Sequence, residues 1–503
     1  MNERYIAAVD LGSSKIAVTV AQVSDKGVQI IYHRETRSEG VRNSYVVNPQ
    51  KAADRLREAI GEAESELNIK IHQAVTGLPR YEVMQIGARA VFERSDSESS
   101  ITREEIDFLK ASALETYPLP DSDKQMMYGI VAQSFSTEEY INARESEIEG
   151  MVSDTVEGNF KVFVGRKRYS DNVDRVMNQV GVAVARKYFV PETTARAILS
   201  EEERENGVAL IEIGAGATSV TIYKDDILRY YASIPFGGRS ITNDIKLECG
   251  TSESLAENIK LGFGACMPDK LLTLRDKIIQ INNPESGSCK QLSVKYLSEV
   301  ITCRAKEIVD ACLYKIQESG LGQSLRNGIV LTGGVAGMPN LSTYVKELSG
   351  YNVRIGYARQ TFSYQGCPEI NETGAVTSVG MIMASKDDKF LNCLSEPPVI
   401  KAEQPAVEAA ADEPVQAQET AGGEFAGWPV TEAVEEPEEE TAVETGPEEA
   451  PRKEKRERKA REQKEHKEHK KPRVIWKNPF DALTKKVTDK FDEMLNNGYD
   501  GME

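Results

Sequence analysis

This 503-residue chain has no run of about 18 consecutive apolar residues, so no segment reads as a helix that spans a bilayer. Cysteine is sparse and unpaired in pattern. Seven occur (Cys249, Cys266, Cys289, Cys303, Cys312, Cys367 and Cys393), an odd number with no C-x-x-C among them. That excludes a disulfide framework or a cysteine zinc site and leaves reduced thiols that fill core. A basic surplus is also missing. Sixty-two Lys and Arg stand against 80 Asp and Glu, a net charge of −18 with pI near 5.0, which argues against nucleic acid as the main partner. Of only four histidines, His466 and His469 sit at helical spacing but in a lysine-rich run, a solvated basic arm and not a metal site. Met1-Asn2-Glu3-Arg4 leads straight into a strand, so no leader peptide is expected.

What the chain does contain is one piece written twice. Asp10-Leu11-Gly12-Ser13-Ser14-Lys15 and the β-branched run after it align without a gap on Glu212-Ile213-Gly214-Ala215-Gly216-Ala217 and the run from Thr218, 202 positions later. Each copy is an apolar run ending in an acid, a turn of glycine and small residues, then alternating β-branched residues. The pattern predicts a β-hairpin with no bulky side chain at its tip. Such a tip lets backbone N–H groups close on an anion, and the acid can hold a metal through water. Two of them face to face would grip the phosphates of one nucleotide. A third segment, Gly328 to Met338, runs an apolar strand into Thr332-Gly333-Gly334, a turn that lets backbone lie flat against an adenine ring.

In this order the three segments resemble the phosphate-1, phosphate-2 and adenosine motifs of the actin, sugar kinase and heat-shock chaperone superfamily. Between them, Ile234-Pro235-Phe236-Gly237-Gly238-Arg239-Ser240-Ile241-Thr242-Asn243-Asp244-Ile245 and Ala256-Glu257-Asn258-Ile259-Lys260 are similar to the FtsA family of bacterial cell-division proteins. The similarity runs from residue 5 to about 385.

The resemblance implies an α/β, actin-like ATPase fold: two lobes, each with a ribonuclease-H-like core, a small inserted subdomain, a disordered C-terminal linker and a terminal amphipathic helix. Lobe I would take residues 1–81, 167–206 and the return at 361–395, with the insertion at 82–166. Lobe II would take its core from 207–237 and 328–360 and its outer subdomain from 238–327. Residues 396–450 hold sixteen acids and one lysine, and 451–473 hold twelve Lys and Arg against five Glu. A segment so poor in large apolar residues cannot offset its chain entropy, so 396–475 is expected to be linker.

From 476 to 503 the expectation is an amphipathic helix. Asn478 and Pro479 read as its N-cap and first position. Advancing about 100° per residue, Phe480, Leu483, Val487, Phe491 and Met494, with Leu495, share an arc of roughly 120°. With Trp476 before it, a stripe on so long a tether reads as membrane-seeking, aided by the basic arm.

By the same resemblance the cofactors are ATP and Mg²⁺. Asp10 and Glu212 would hold Mg²⁺ through water, and Gly12, Ser13, Ser14 and Lys15 would line the β- and γ-phosphates. Gly214, Gly216 and Thr218 would close the other side, with Gly237 and Gly238 beside them. Glu257 and Lys260 would face ribose and adenine, and Gly333, Gly334 and Val335 would flank the base. No catalytic residue is identified, Glu212 and Asp10 being the candidates. The family carries Asp where this chain has Glu212, and a polar residue where it has Val190 before Pro191, so turnover should be slow. Expected partners are FtsZ, further copies in filaments, an anionic membrane surface and later division proteins, at the septal inner face of the cytoplasmic membrane. A pilus or plasmid-partition scaffold and a chaperone- or kinase-type ATPase are the alternatives.

Overall fold

The computed structural model describes residues 3–94, 96, 98–282, 289–395 and 474–477, all of which fall within one compact unit. In chain order it begins with strands β1 (Arg4–Leu11), β2 (Lys15–Ser24), β3 (Gly27–Arg37), β4 (Val41–Arg42) and β5 (Tyr45–Val46), helix α1 (Pro49–Leu67) and β6 (Gln73–Gly77). The next block holds β7 (Met84–Glu93), α2 (Arg103–Thr116), β8 (Gln125–Ser136), α3 (Glu145–Ile148) and β9 (Thr155–Arg166). It is followed by α4 (Lys167–Gln179), β10 (Ala183–Tyr188), α5 (Val190–Ile198) and α6 (Glu201–Asn206). The second half runs β11 (Val208–Ile213), β12 (Thr218–Lys224), β13 (Ile227–Ile234), α7 (Gly238–Cys249), α8 (Glu253–Phe263), β14 (Ile278–Asn282), β15 (Cys289–Ser293) and α9 (Val294–Glu318). It ends with β16 (Ile329–Thr332), α10 (Leu341–Ser349), β17 (Val353–Ile355), β18 (Ser363–Tyr364), α11 (Val376–Ser385) and β19 (Val474–Lys477).

Sequence duplication becomes structural duplication. In one sheet the order β3-β2-β1-β6-β10 carries β18 on its edge; in the other it is β13-β12-β11-β16-β17. In both, the first three strands form an antiparallel meander and the last two join in parallel. Strands β1 and β11 therefore sit at the centre of their sheets, which is why both read as unbroken apolar runs rather than alternating ones. Every residue of β11 is buried, including Glu212 at its end. Each central strand delivers its acid to the rim of its sheet, where the hairpin turns.

The helices follow their local signals. The Asn48 side chain caps α1 by accepting from the Lys51 N–H at 3.2 Å, and Pro49 opens the first turn. Its buried Ala53, Leu56, Ile60, Ala63 and Leu67 recur at steps of three and four and lie on the first sheet. Burying each large one contributes about 1.5–3 kcal/mol. Thr102 and Glu105 close a capping box at the start of α2, and Ser293 caps the long α9 by accepting from the Tyr296 N–H at 3.1 Å. Cys249, Cys266, Cys303, Cys312, Cys367 and Cys393 are free thiols, and of these six all but Cys303 are buried, as core filler should be.

The insertion builds its own four-stranded sheet, ordered β19-β7-β9-β8, with α2 over a small core of Phe92, Ile106, Leu109, Phe135 and Phe160. Strand β19 departs from expectation. Val474 to Lys477 pair antiparallel with Phe92 to Arg89, so the linker expected to 475 and the helix segment expected from 476 meet in a strand, with Trp476 on it. The physical reason is an open edge: the outer side of β7 offers unpaired N–H and C=O groups, and Val-Ile-Trp is a strand-forming sequence. Phe480, Leu483, Val487, Phe491 and Met494 lie outside the described residues. Among the described residues no helix is long and apolar enough to cross a membrane.

Candidate functional site

The two hairpin tips meet. The turn after β1 holds Gly12, Ser13 and Ser14, and the turn after β11 holds Gly214 to Ala217. Gly216 lies so close to the first tip that a Cβ on it would come 2.7 Å from Ser13 Oγ and 2.8 Å from the Asn43 nitrogen. Only glycine fits there. Ser13 is buried, its Oγ accepts from the Ser44 N–H at 2.9 Å, and its carbonyl accepts from Arg239 Nη2 at 3.1 Å. Lys15 leaves the first tip paired with Glu35 and approaches Gly374. Burial would raise the Glu35 carboxyl, but the His33 and Lys15 contacts prevail and hold it below the usual range.

A second wall comes from helices α7 and α8. The N–H of Gly238 donates to Gly214 O at 2.9 Å, which joins the start of α7 to the second tip. Thr218 Oγ1 donates to Phe236 O at 2.8 Å and fixes the chain just before Gly237. Lys260 is almost wholly buried on α8, and its ammonium donates to Thr242 Oγ1 at 2.9 Å, to Glu257 Oε2 at 2.7 Å and to Gly238 O at 3.3 Å. A Cβ at Gly238 would stand 2.8 Å from Val335 Cγ2 and 3.4 Å from Lys260 Nζ. Glu257, Lys260, Gly238 and Val335 thus form one surface, which continues into Gly333 and Gly334. Val335 N donates to Ile213 O at 3.2 Å, and Thr373 Oγ1 donates to Gly333 O at 3.0 Å, so strand, turn and the return to the first lobe are tied together.

At the inner end of this groove lie the two acids. Asp10 is half-buried at the rim of β1 and lines a pocket with Gly77, Pro79, Arg80 and Val190. Burial pushes its carboxyl up, the Arg80 charge opposes this, and Glu212 adds to it. Arg80 makes an ion pair with Glu212, and its Nη2 donates to Thr377 Oγ1 at 3.4 Å. Tyr231 OH donates to the Arg80 carbonyl and holds the backbone. Burial works against the guanidinium charge, yet Glu212 and Asp10 together raise its hold on the proton above the ordinary level. Sequence reasoning gave Arg80 no role. The one signal was its place, just past Gly77-Leu78-Pro79 at the end of a strand parallel to β1. Thr242 was marked only as part of the segment from Ile234 to Ile245, and Thr377 carried no signal.

The apolar Val190 lines the same pocket as Asp10, and Glu192 turns to Arg196 at 3.5 Å. Contacts thus link Ser13, Gly214, Gly216, Gly237, Gly238, Glu257, Lys260 and Val335 in one continuous set. The anticipated metal contact fits less well, because Glu212 is already engaged by a guanidinium.

The family model for cell division protein FtsA matches residues 209–380, the second sheet together with both base-side segments. FtsA of Neisseria meningitidis is 27% identical over 358 residues, 70% of this chain and 84% of its own length. FtsA of Borreliella burgdorferi is 29% identical, with 71% and 85% covered, and that of Escherichia coli 23%, with 71% and 84%. The likeness is to cell division protein FtsA. Among solved structures, the PilM-PilN type IV pilus biogenesis complex superposes with a TM-score of 0.52 at 14% identity, over 76% of this chain and 98% of that one. At that identity it speaks for the fold alone. The fold is the actin-like α/β ATPase architecture, two lobes built on the repeated sheet.

Proposed function

We propose that this chain is an actin-like, ATP-binding cell-division protein that polymerises on the inner face of the cytoplasmic membrane. There it tethers the FtsZ ring and helps to recruit later division proteins. The observation that carries the nucleotide reading is the contact of the two matched tips at Ser13 and Gly216, beside the surface of Lys260, Glu257 and Val335. Backbone N–H groups of both tips would hold the phosphates, with Ser14 and Lys15 adding donors, and Gly333 and Gly334 would lie against the base. Bound ATP supplies a ligand shared by both lobes, so its binding energy opposes their separation and favours the closed form that a filament needs. The FtsA relatives support the division role. The pilus-scaffold alternative has only a likeness of fold behind it, which fixes no function.

Residues Phe480 to Met494 would anchor the chain in the headgroup region, with the basic run 451–473 adding attraction to anionic lipid. One experiment tests the assembly: sedimentation with FtsZ filaments and anionic liposomes, using full-length protein and protein cut after Pro472. Full-length protein should carry FtsZ into the liposome fraction and the truncated form should not. Equal co-sedimentation of both would refute the tether.

A further inference from the structure

The inference concerns Arg80 and rests on the nucleotide reading above. Two carboxylates, Asp10 and Glu212, converge from the central strands of the two lobes, which is where a divalent cation bridging protein and phosphates would be sought. That place already has a cation. We propose that the Arg80 guanidinium stands in for the divalent ion, so that this groove binds nucleoside triphosphate with little dependence on Mg²⁺.

Three features carry this. First, Arg80 is fixed at both ends. Its backbone carbonyl accepts from Tyr231 OH, and its guanidinium pairs with Glu212 and reaches Thr377. Its side chain is 16% exposed and that of Glu212 is 6% exposed, so this is no wandering surface pair. Second, Glu212 is satisfied without a metal. Its Oε1 receives Arg80 and also Thr377 Oγ1 at 3.3 Å, so an ion at Glu212 would have to expel the guanidinium and place two cations side by side in a buried site. Third, the guanidinium has donors to spare. Of its five N–H groups, one on Nη1 serves Glu212 and one on Nη2 serves Thr377, and Arg80 lines the same pocket as Asp10. A fork of donors suits phosphate oxygens as well as it suits a carboxylate. Lys15 and Arg239 bring two further cationic groups to the same tips.

A guanidinium differs from Mg²⁺ in one respect that matters: it is no Lewis acid, so it does not coordinate a water and lower its pKa. A groove served by Arg80 would hold triphosphate firmly and hydrolyse it slowly, in keeping with the apolar Val190 in the same pocket as Asp10.

The test is calorimetric titration of full-length protein with ATP, in EDTA and in millimolar Mg²⁺. The two affinities should agree within about threefold, well short of a 1.4 kcal/mol, tenfold change. Arg80→Gln should weaken binding in EDTA by at least about tenfold and regain most of it with Mg²⁺, while Arg80→Lys keeps much of the metal-independent affinity. Arg80→Gln strips a buried carboxylate of its partner and can fail to fold, so Arg80→Gln with Glu212→Gln is the second variant. It removes both charges together and should show the same loss in EDTA. ATP bound only with Mg²⁺ by the parent protein, or unaltered binding in EDTA by the variants, overturns the role of Arg80 and leaves the nucleotide reading standing. No ATP binding under either condition overturns both.

Discussion

Gly216→Ala is the smallest change that should separate the two lobes at the phosphate end. The added methyl would lie 2.7 Å from Ser13 Oγ, 2.8 Å from the Asn43 nitrogen and 3.0 Å from Ser13 Cβ. Two of these neighbours cannot yield, because Asn43 presents backbone and Ser13 Oγ is held by the Ser44 N–H at 2.9 Å. Turning Ser13 away would cost that hydrogen bond, about 0.5–1.5 kcal/mol. The alternative is to part the tips, an overpacking strain of about 1–3 kcal/mol. Either route takes about 1–2 kcal/mol from the closed form, or a fall in Tm of about 1–2 °C for a protein of this size. Because ATP would bridge both tips, the same strain should appear as an affinity about tenfold lower. Differential scanning calorimetry with and without ATP reads both effects. Adding Ser13→Gly should recover part of the loss, since it removes two of the three clashes. A variant with parental Tm and ATP affinity would show that the tips do not meet at Gly216, and the nucleotide cleft as described would fail with them.

Other outcomes follow from the same geometry. Lys260→Ala removes the cation shared by Glu257, Thr242 and Gly238, and Gly334→Asp adds a charge where a Cβ meets nothing within 4 Å. Both should retain the fold by circular dichroism and lose ATP by at least about tenfold in calorimetry. ATP turnover should stay below about one per second in a coupled phosphate-release assay, the low end for ordinary enzymes, and a faster rate would contradict the reading of Val190. Asp10 has a raised carboxyl in the folded state, so the folded form takes up its proton more readily than the unfolded chain does. Its contribution is favourable in acid and is lost as pH rises through the folded-state value. Asp10→Asn should therefore raise Tm at neutral pH, and the gain should shrink as pH falls. A gain that grows in acid would reverse the assignment. Phe491→Asp should release the protein from anionic liposomes, at about 1.5–3 kcal/mol for the lost side chain, whereas Asp489→Ala should not.

Much of this molecule was legible in the chain because its determinants are local. The apolar runs of β1 and β11, the small-residue turns after them, the three- and four-residue spacing of α1 and the Thr102–Glu105 box each act within a few residues. Their repetition at a fixed offset announced two like sheets before any contact was known. The base-side surface was largely legible: Glu257 and Lys260 lie one turn apart and Gly238 was named beside the second tip, but the contact of Lys260 with Thr242 and Gly238 on another helix was not. What only the tertiary structure decided was the set of contacts between lobes. Arg80 and Glu212 are 132 positions apart, and nothing near Arg80 marks it as the partner of a buried acid. The choice of cation at the acids thus depends on how β6 is laid beside β1 and how the second sheet closes on it. The same holds for β19, whose strand needs the open edge of β7, more than 380 positions earlier, to give its backbone groups partners. Local propensity settles which segments become strands and helices; which charge meets which is settled only when the lobes close and water leaves the space between them.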